Sequence, residues 1–292
     1  MSLSKRIDRL RAQAGGRPAA VSPEQPATPG VRERLARVQT RQRRSASRAG
    51  GQRPGDQAVA EQLGGAVCAP GLVEVERVVG LETAYGQQPL APLAGRLDGV
   101  PEGGGLDPQR ALLLDTETTG LAGGAGTVVF LIGVGSLGGG GLTVRHWLLT
   151  GFSGEPALLA RLGQVLDETQ ALVTYNGKSF DAPLLKSRAR LHGVDLGLDN
   201  REHLDLLHPT RRIFRSRWPN CRLATAERRL LGHERLDDLP GAEAPAAWLD
   251  FLQRGDPRQL PAVVRHNSDD ILALAALWAA LDRVYCEEGR AP

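Results

Sequence analysis

The chain has 292 residues, and its apolar fraction of 41% is enough for the core of one large domain or two small ones. It contains no run of about 18 apolar residues, so no transmembrane helix is expected, and its basic, polar start is not typical of a signal peptide. The three cysteines are far apart and form no C-x-x-C pair, which argues against a zinc knuckle or a disulfide framework and favours a cytoplasmic location.

Basic residues are concentrated at the start of the chain. Residues 1–65 hold 13 Lys and Arg against 5 Asp and Glu, whereas the remaining residues hold 23 basic and 28 acidic side chains. Such a segment favours a polyanionic partner, because phosphates release counterions when basic groups bind them. The alternative is a solvated extension that only keeps the protein soluble. Residues 1–64 have almost no aromatic side chains, so we predict a disordered Arg-rich tail in which residues 31–44 could form a short basic helix.

A short β-rich segment is predicted between the tail and the main domain. Residues 72–76 alternate between apolar and acidic side chains, which is typical of a half-buried strand, and Val78 and Val79 extend the apolar pattern. We therefore expect residues 65–104 to form a β-hairpin extension laid on the main domain, with a linker over residues 101–105.

The sequence from residue 105 to residue 290 predicts one α/β domain. Three apolar, β-branched runs joined by short loops indicate an antiparallel meander, at residues 111–115, 127–135 and 142–149. The elements predicted after them are helix 156–167, strand 171–175, and helices 180–192, 204–214, 223–231, 246–252 and 260–286. This order predicts a mixed sheet flanked by helices, in which parallel strands are added to the meander.

Two acidic side chains stand at the carboxyl end of the first predicted strand of this domain. Asp115 and Glu117 are two residues apart, so a strand directs both side chains to the same face. Two like charges so close repel each other unless a cation lies between them, and a hard divalent cation with oxygen ligands fits best. The alternative is a pair of solvated acids at a strand end.

A third acidic residue follows the predicted strand 171–175. Asp181 lies in the first turn of the next helix, where strand ends and helix starts form binding sites in open α/β sheets. The alternative is that Asp181 only stabilises the helix start. The tripeptide Gly-Lys-Ser at 177–179 looks like the end of a phosphate-binding P-loop, but the position five residues before its glycine is Leu172, so no nucleotide cofactor is predicted. Lys178 could still contact a substrate phosphate, unless it is an ordinary solvated lysine.

A histidine and an aspartate form a pair on the long C-terminal helix. His266 and Asp270 are four residues apart and therefore lie on one face of that helix. Apolar residues flank the pair, which indicates that the helix packs on the body of the domain. A lone pair of this kind is usually structural, so its meaning depends on whether the other acids lie close by.

Taken in order, these segments resemble the DEDD exonuclease superfamily, whose members have an RNase H-like fold. The resemblance rests on D-x-E-T-T-G at residues 115–120, N-x-x-x-F-D at residues 176–181 and H-x-x-x-D at residues 266–270. More narrowly, residues 106–285 are similar to the bacterial YprB-type RNase H-like domain family. That likeness runs through residues 116–121, 175–183, 203–206, 221–232, 238–241 and 266–267.

The resemblance implies a metal-dependent nuclease, in its simplest form a 3′–5′ exonuclease that acts on single strands of DNA or RNA by a two-metal mechanism. It implies two divalent cations, Mg²⁺ or Mn²⁺, held by the carboxylates of Asp115, Glu117, Asp181 and Asp270. His266 falls where the superfamily has its general base, at the spacing used for tyrosine, and its alternative role is to orient a water or a ligand. Asp205 is a further candidate, with helix capping or a hydrogen bond behind the site as alternatives.

Two other functions stay compatible with these residues: a non-catalytic RNase H-like module that binds nucleic acid or protein, and an endoribonuclease. The four retained acids argue against the first of them. The predicted partner is nucleic acid, and no membrane partner is predicted. The best basic and aromatic cluster for a nucleic-acid strand contains Arg211, Arg212, Phe214, Arg215, Arg217 and Trp218. Its alternative is a solvated helix end.

Overall fold

The computed structural model describes residues 54–101, 105–120, 126–236 and 238–288. The predicted tail therefore lies outside the described residues except for residues 54–64, and so does the basic helix predicted over residues 31–44. Residues 54–64 differ from the prediction, because they contain helix α1 (Asp56–Leu63).

Helix α1 is fixed to the body of the protein by packing and by hydrogen bonds. Val59 and Ala60 are fully buried in the core. The Asp56 carboxylate accepts a 2.7 Å hydrogen bond from the Gly71 backbone N–H and a 2.6 Å hydrogen bond from the Thr150 hydroxyl. These contacts are made with residues far along the chain, so the composition of the segment alone could not reveal them and predicted disorder instead.

A seven-stranded mixed sheet forms the centre of the fold. Its strands are β1 (Ala66–Ala69), β2 (Leu72–Val79), β5 (Ala111–Thr118), β6 (Val129–Gly138), β7 (Gly141–Leu149), β8 (Ala171–Thr174) and β9 (Glu202–Asp205), while β3 (Ala84–Tyr85) and β4 (Gln88–Pro89) pair separately. Across the sheet the order is β1-β2-β7-β6-β5-β8-β9. Strands β5, β6 and β7 are antiparallel neighbours, and β8 and β9 follow β5 in parallel. The predicted mixed sheet, with an antiparallel meander and added parallel strands, is confirmed.

The segment predicted as a hairpin extension enlarges this sheet. Strand β2 pairs with β7 along its whole length, from Leu72 opposite Leu149 to Val79 opposite Leu142. Strand β1 pairs with the outer side of β2 and forms one edge of the sheet. The small β3–β4 hairpin and a 3₁₀ turn, Ala91–Ala94, then cover the core before β5 begins.

Helices cover both faces of the sheet. They are α2 (Glu155–Asp167), α3 (Asp181–Leu191), α4 (Leu207–Phe214), α5 (Leu223–Ala226) with a π-helical turn Glu227–Leu231, α6 (Ala244–Arg254) and α7 (Leu260–Glu288). The helix predicted from residue 204 was wrong at its start, because residues 202–205 form β9; a four-residue strand is too short to show a periodicity. Within the described ranges, none of these helices combines the length and the apolar character that a membrane crossing requires.

The buried apolar side chains form two clusters, and β5 contributes to both. Leu112 and Leu114 belong to one cluster, whereas Ala111 and Leu113 belong to the other. Helix α7 also contributes to both clusters: Leu260, Val263 and Val264 join the first, and the apolar residues from Ile271 to Leu281 join the second. The stretch 266–270 therefore lies between the two clusters along α7.

Two glycines of β6 let α7 approach the sheet closely. A Cβ on Gly133 would lie 1.8 Å from the Asn267 side-chain oxygen, and a Cβ on Gly135 would lie 2.7 Å from the Ile271 side chain. Asn267 and Ile271 are one helical turn apart, and the two glycines share one face of β6. The glycines thus set how close α7 lies to the middle of the sheet.

Candidate active site

The carboxyl end of β5 carries the first two predicted acids. By alternation, Asp115 and Glu117 share the face of Leu113, which is the face covered by α7. Glu117 is only 8% exposed. An ordinary glutamate side chain in water is charged at neutral pH, so its burial is unusual. Strand periodicity therefore places one buried and one half-buried carboxylate under a helix.

Helix α7 holds Asp115 through an asparagine. The Asn267 side-chain N–H donates a 2.7 Å hydrogen bond to Asp115 Oδ2. Asn267 is fully buried, and its side-chain oxygen has no hydrogen-bond partner among the described residues. Because Gly133 leaves space for this side chain, the amide group can be placed against the strand only with a glycine there.

The third acid reaches the same edge of the sheet from the start of α3. The Thr116 hydroxyl donates a hydrogen bond to Asp181 Oδ1, so Asp181 lies directly beside the residues of β5. The turn that precedes it contains Asn176 with a positive φ of 67°. Asp205 fixes this turn, because its carboxylate accepts hydrogen bonds from the backbone N–H groups of Asn176, Lys178 and Leu207. The Asp205 carboxylate thus stabilises the conformation of the turn before α3.

The histidine and the fourth acid complete the cluster from α7. His266 Nε2 lies 3.5 Å from Asp270 Oδ2 and 3.9 Å from Glu117 Oε1. Each of these three residues offers one ligand atom, and the three atoms lie within 4.8 Å of one another. Two carboxylate oxygens and one imidazole nitrogen form a donor set that fits a divalent cation such as Mn²⁺. The residues present therefore fit a metal site.

An arginine inside the cluster offsets part of its negative charge. The Arg235 guanidinium donates to Asp270 Oδ1 at 2.7 Å, and it lies 2.8 Å from Glu227 and 3.4 Å from Asp238. Tyr85 from the β3–β4 hairpin donates a 2.7 Å hydrogen bond to Glu227. Residues before the predicted main domain thus help to hold a side chain that contacts the acidic cluster.

The acids of the cluster bind protons more tightly than ordinary carboxyl groups. Burial, with repulsion from Asp270, Asp181 and Glu117, raises the pKa of Asp115 well above its usual value. Burial, with repulsion from Asp270 and Asp181, raises the pKa of Glu117 to about 8. Burial raises the pKa of Asp181 to about 6, although the hydrogen bond from Thr116 opposes the shift. Burial also raises the pKa of Asp270, although Arg235 opposes the shift. Such mutual repulsion requires that the four carboxyl groups lie near one another.

Two cavities are lined by different residues of the cluster. One, of about 440 Å³, is lined by Asp115 and Asp181 together with an apolar wall formed by Tyr175, Phe180, Pro183 and Leu184. The other, of about 340 Å³, is lined by His266 and Asp270 together with Arg228, Arg235 and Asp238. Asp115 and Asp181 are thus accessible from the first cavity, and Asp270 from the second.

The fold and the acidic cluster agree with a known family. The RNase_H_2 family model, described as RNase_H superfamily, matches residues 112–282, which is more than half of the chain. The protein belongs to the RNase H superfamily. Its predicted RNase H-like fold is therefore confirmed. Proteins of this superfamily generally use divalent metals, and membership indicates a nuclease of the hydrolase class.

A curated relative supports the narrower resemblance. The uncharacterized protein YprB of Bacillus subtilis (strain 168) is 38% identical over 189 residues, which cover 64% of this chain and 46% of YprB. The likeness to the YprB-type family is confirmed, and this RNase H superfamily protein spans less than half the length of that relative.

Two polymerases are also similar in part. A DNA polymerase of Methanocaldococcus jannaschii is 41% identical over 44 residues, which cover 15% of this chain and 3% of the polymerase. The structure of a family B DNA polymerase from Pyrobaculum calidifontis superposes with a TM-score of 0.46 at 19% identity, covering 58% of this chain and 24% of that one.

The residues predicted to bind nucleic acid lie outside the acidic cluster of this RNase H superfamily protein. Arg211, Arg212 and Arg215 are exposed on and just after α4, and Lys178 is exposed in the turn before α3. Trp218 is half-buried, and Phe214 is stacked on one of its faces, with ring centroids 4.0 Å apart. These four basic side chains are thus accessible to a nucleic-acid strand, whereas one face of the Trp218 ring is covered by Phe214.

Five residues of the site were given no role from the sequence, although all but Arg235 lie in segments that carry the family resemblance: Thr116, Phe180, Arg235, Asp238 and Asn267. Phe180 is 49% exposed and lines the larger of the two cavities, and its place in the N-x-x-x-F-D motif was its signal in the sequence. Arg235 and Asp238 lie in a segment without helical or strand periodicity. Their contacts join parts of the chain about 30 residues apart, which no local pattern reveals.

The glycine at position 133 gives a test of how Asp115 is held. In the variant Gly133→Ala the new methyl group would displace the Asn267 amide and release Asp115, and overpacking of this kind costs about 1–3 kcal/mol of unfolding free energy. We expect a lower Tm and a loss of divalent cation affinity, measured by thermal unfolding and by calorimetric titration with Mn²⁺.

The matched control is Gly139→Ala in the β6–β7 turn, where nothing lies within 4 Å of an added Cβ. Wild-type Tm and cation affinity in Gly133→Ala would show that Asn267 does not hold Asp115.

Proposed function

We propose that this protein is a metal-dependent nuclease that hydrolyses phosphodiester bonds, acting as a 3′–5′ exonuclease on single strands of DNA or RNA by a two-metal mechanism. One observation carries the proposal: Asp115, Glu117, Asp181 and Asp270 converge with His266 at one end of the sheet. Four carboxyl groups that repel one another this strongly need cations to be ionised together. Membership of the RNase H superfamily supports the same chemistry.

The proposed roles follow from the positions of the side chains. The carboxylates of Asp115, Glu117, Asp181 and Asp270 would hold the cations, Mg²⁺ or Mn²⁺. When bound, such cations supply an activated water and stabilise the leaving oxygen. His266 would accept the water proton through Nε2, which faces Glu117 and Asp270.

The larger cavity supports the proposed use of a single strand. Its wall combines the exposed ring of Phe180 with Tyr175 and Leu184, beside Asp115 and Asp181. An exposed aromatic ring beside a cluster of cation ligands offers a stacking surface to any base, because every base has a π-face. The strand end would therefore lie next to the carboxylates.

The test is a cleavage assay on single strands of DNA and RNA labelled at the 5′ or the 3′ end, with Mg²⁺, with Mn²⁺ and with a chelator. A 3′–5′ exonuclease shortens 5′-labelled strands one nucleotide at a time and stops when the 3′ end is blocked. Cleavage of RNA blocked at both ends would instead identify an endoribonuclease. Binding of strands without cleavage under any of these cations would identify a non-catalytic module.

The basic residues on and after α4 are expected to bind the strand backbone. Replacing Arg211, Arg212 and Arg215 together by glutamine should raise KM for long strands and leave kcat nearly unchanged. It should also reduce the salt dependence of binding by about one ion for each phosphate that the variant no longer binds. Fluorescence anisotropy at several salt concentrations measures the salt slope.

The control for this triple variant changes three exposed arginines of other elements: Arg190, Arg254 and Arg258. Both triple variants lose the same charge. If the strand contacts the arginines on and after α4, the salt slope should be smaller only for the variant that changes them. Equal slopes would rule out this surface as the strand-binding site.

A further inference from the structure

A carboxylate outside the four predicted acids contacts the histidine of the cluster. Asp238 Oδ2 lies 2.7 Å from His266 Nδ1. An ionised carboxylate can only accept a hydrogen bond, so Nδ1 must carry the proton and donate it. In a neutral imidazole ring only one nitrogen carries a proton, so Nε2 is then the free one.

The free nitrogen faces the acidic cluster. Nε2 lies 3.5 Å from Asp270 and 3.9 Å from Glu117, on the opposite edge of the ring from Asp238. A Cβ on Gly241 would lie 3.0 Å from Nε2, so the absence of a side chain at that position keeps this edge open. The loop from Asp238 to Gly241 thus holds one nitrogen of the ring and leaves the other accessible.

Asp238 is itself held in position by the arginine of the cluster. Arg235 lies 3.4 Å from the same oxygen, Asp238 Oδ2, and is anchored by Glu227 at 2.8 Å and by Asp270 at 2.7 Å. All these side chains are largely buried, with exposures between 3% and 17%. A buried, ion-paired carboxylate has few alternative positions, so it can fix the orientation of the ring it binds.

We propose that Asp238 is a positioning residue of the candidate active site: it holds the His266 ring in the tautomer that directs an unprotonated Nε2 toward Glu117 and Asp270. This inference rests on the proposed nuclease function for its kinetic consequence. A histidine needs an unprotonated nitrogen both to accept a proton and to bind a cation, so the role of Asp238 is the same in either case.

The tautomer can be measured directly by NMR. We would label the histidines of the full chain with ¹⁵N, remove divalent cations with a chelator and record long-range ¹H–¹⁵N correlations at about pH 8, where an ordinary histidine is neutral. The resonances of His266 are identified by their loss in His266→Gln. The expected result is a proton on Nδ1 in the wild type; a proton on Nε2 would overturn the proposal without any change at Asp238.

The variant Asp238→Asn tests the contact itself. Asparagine keeps the shape, but its amide group can donate to Nδ1 and so stabilise the opposite tautomer. We expect the proton to move to Nε2, Mn²⁺ affinity measured by calorimetry to fall, and kcat to fall by about 10- to 100-fold with KM nearly unchanged. An unchanged tautomer together with unchanged kcat and Mn²⁺ affinity would overturn the proposal.

A matched control is Glu243→Gln, which removes the same charge from an exposed position just before α6 and should leave tautomer, Mn²⁺ affinity and kcat at wild-type values. The NMR and calorimetric arms do not depend on strand cleavage. Absence of cleavage by the wild type would therefore contradict the proposed function, whereas a wild-type ring protonated on Nε2 would contradict the positioning role alone.

Discussion

Replacement of Asp115 by asparagine is expected to reduce kcat/KM for strand cleavage by on the order of 10³-fold or more. Asp115 is the carboxyl group whose pKa is raised by burial and by all three other acids, so it stands at the centre of the cluster. Asparagine keeps an oxygen that can accept the Asn267 hydrogen bond but removes the charge that would hold a cation. The measurement is cleavage of labelled strands in Mg²⁺ and in Mn²⁺.

The control for this variant is Asp269→Asn. Asp269 lies next to Asp270 on α7 but points about 100° away around the helix, and it is not among the acids whose repulsion raises the pKa of Asp115 and of Glu117. Its change should alter kcat/KM by no more than about 2-fold, in line with an effect of a few tenths of a kcal/mol. Residual cleavage close to the wild-type rate in Asp115→Asn would contradict a role for the acidic cluster in catalysis.

The positions of the four acids could be predicted from the sequence because each one follows from a local rule. Strand alternation puts Asp115 and Glu117 on one face, a strand–helix junction brings in Asp181, and a four-residue spacing pairs His266 with Asp270. The order of the sheet then brings these local features together. Their catalytic and metal-binding roles are proposals, which the experiments above test.

The partners of these residues could not be predicted, because they depend on tertiary contacts. Arg235 and Asp238 come from a loop, and nothing in their own segment indicates that they meet α7 about 30 residues later. Asn267 was part of a matching segment, but its function depends on Gly133, a strand glycine whose missing side chain makes the space. Patterns of apolar residues report burial, and they carry no information about which buried polar groups pair.

The tertiary contacts of the segment before residue 105 could not be predicted from its sequence either. Its alternation predicted β2, but not that β2 would continue the main sheet beside β7. The β3–β4 hairpin also reaches the site: Tyr85 bonds to Glu227, Glu227 to Arg235, and Arg235 to Asp270. A hydrogen-bonded chain thus connects a segment outside the family match of residues 112–282 to the acidic cluster.

Without divalent cations, the protein is expected to lose stability as pH rises from about 5 to about 8, the reverse of ordinary carboxyl groups. Burial and neighbouring acids raise the pKa of Glu117 to about 8, and burial raises that of Asp181 to about 6, whereas unfolded carboxyl groups titrate near 4. Across this window the folded state therefore binds more protons than the unfolded state, so the free energy of unfolding falls with pH by at most about 1.4 kcal/mol per pH unit for each group.

Divalent cations should reverse this trend, since they bind the deprotonated carboxylates and stabilise the folded state by mass action. Thermal unfolding at about pH 5.5 and about pH 8.5, with chelator and with Mn²⁺, is expected to show a rise in Tm on adding Mn²⁺ that is larger at the higher pH. In chelator, Glu117→Gln should raise Tm at the higher pH, because it removes a buried charge, while Glu243→Gln should not. A chelator-treated protein whose Tm stays constant or climbs over this range would mean that the acids are not crowded as described, and the cluster would then need no cation to be ionised.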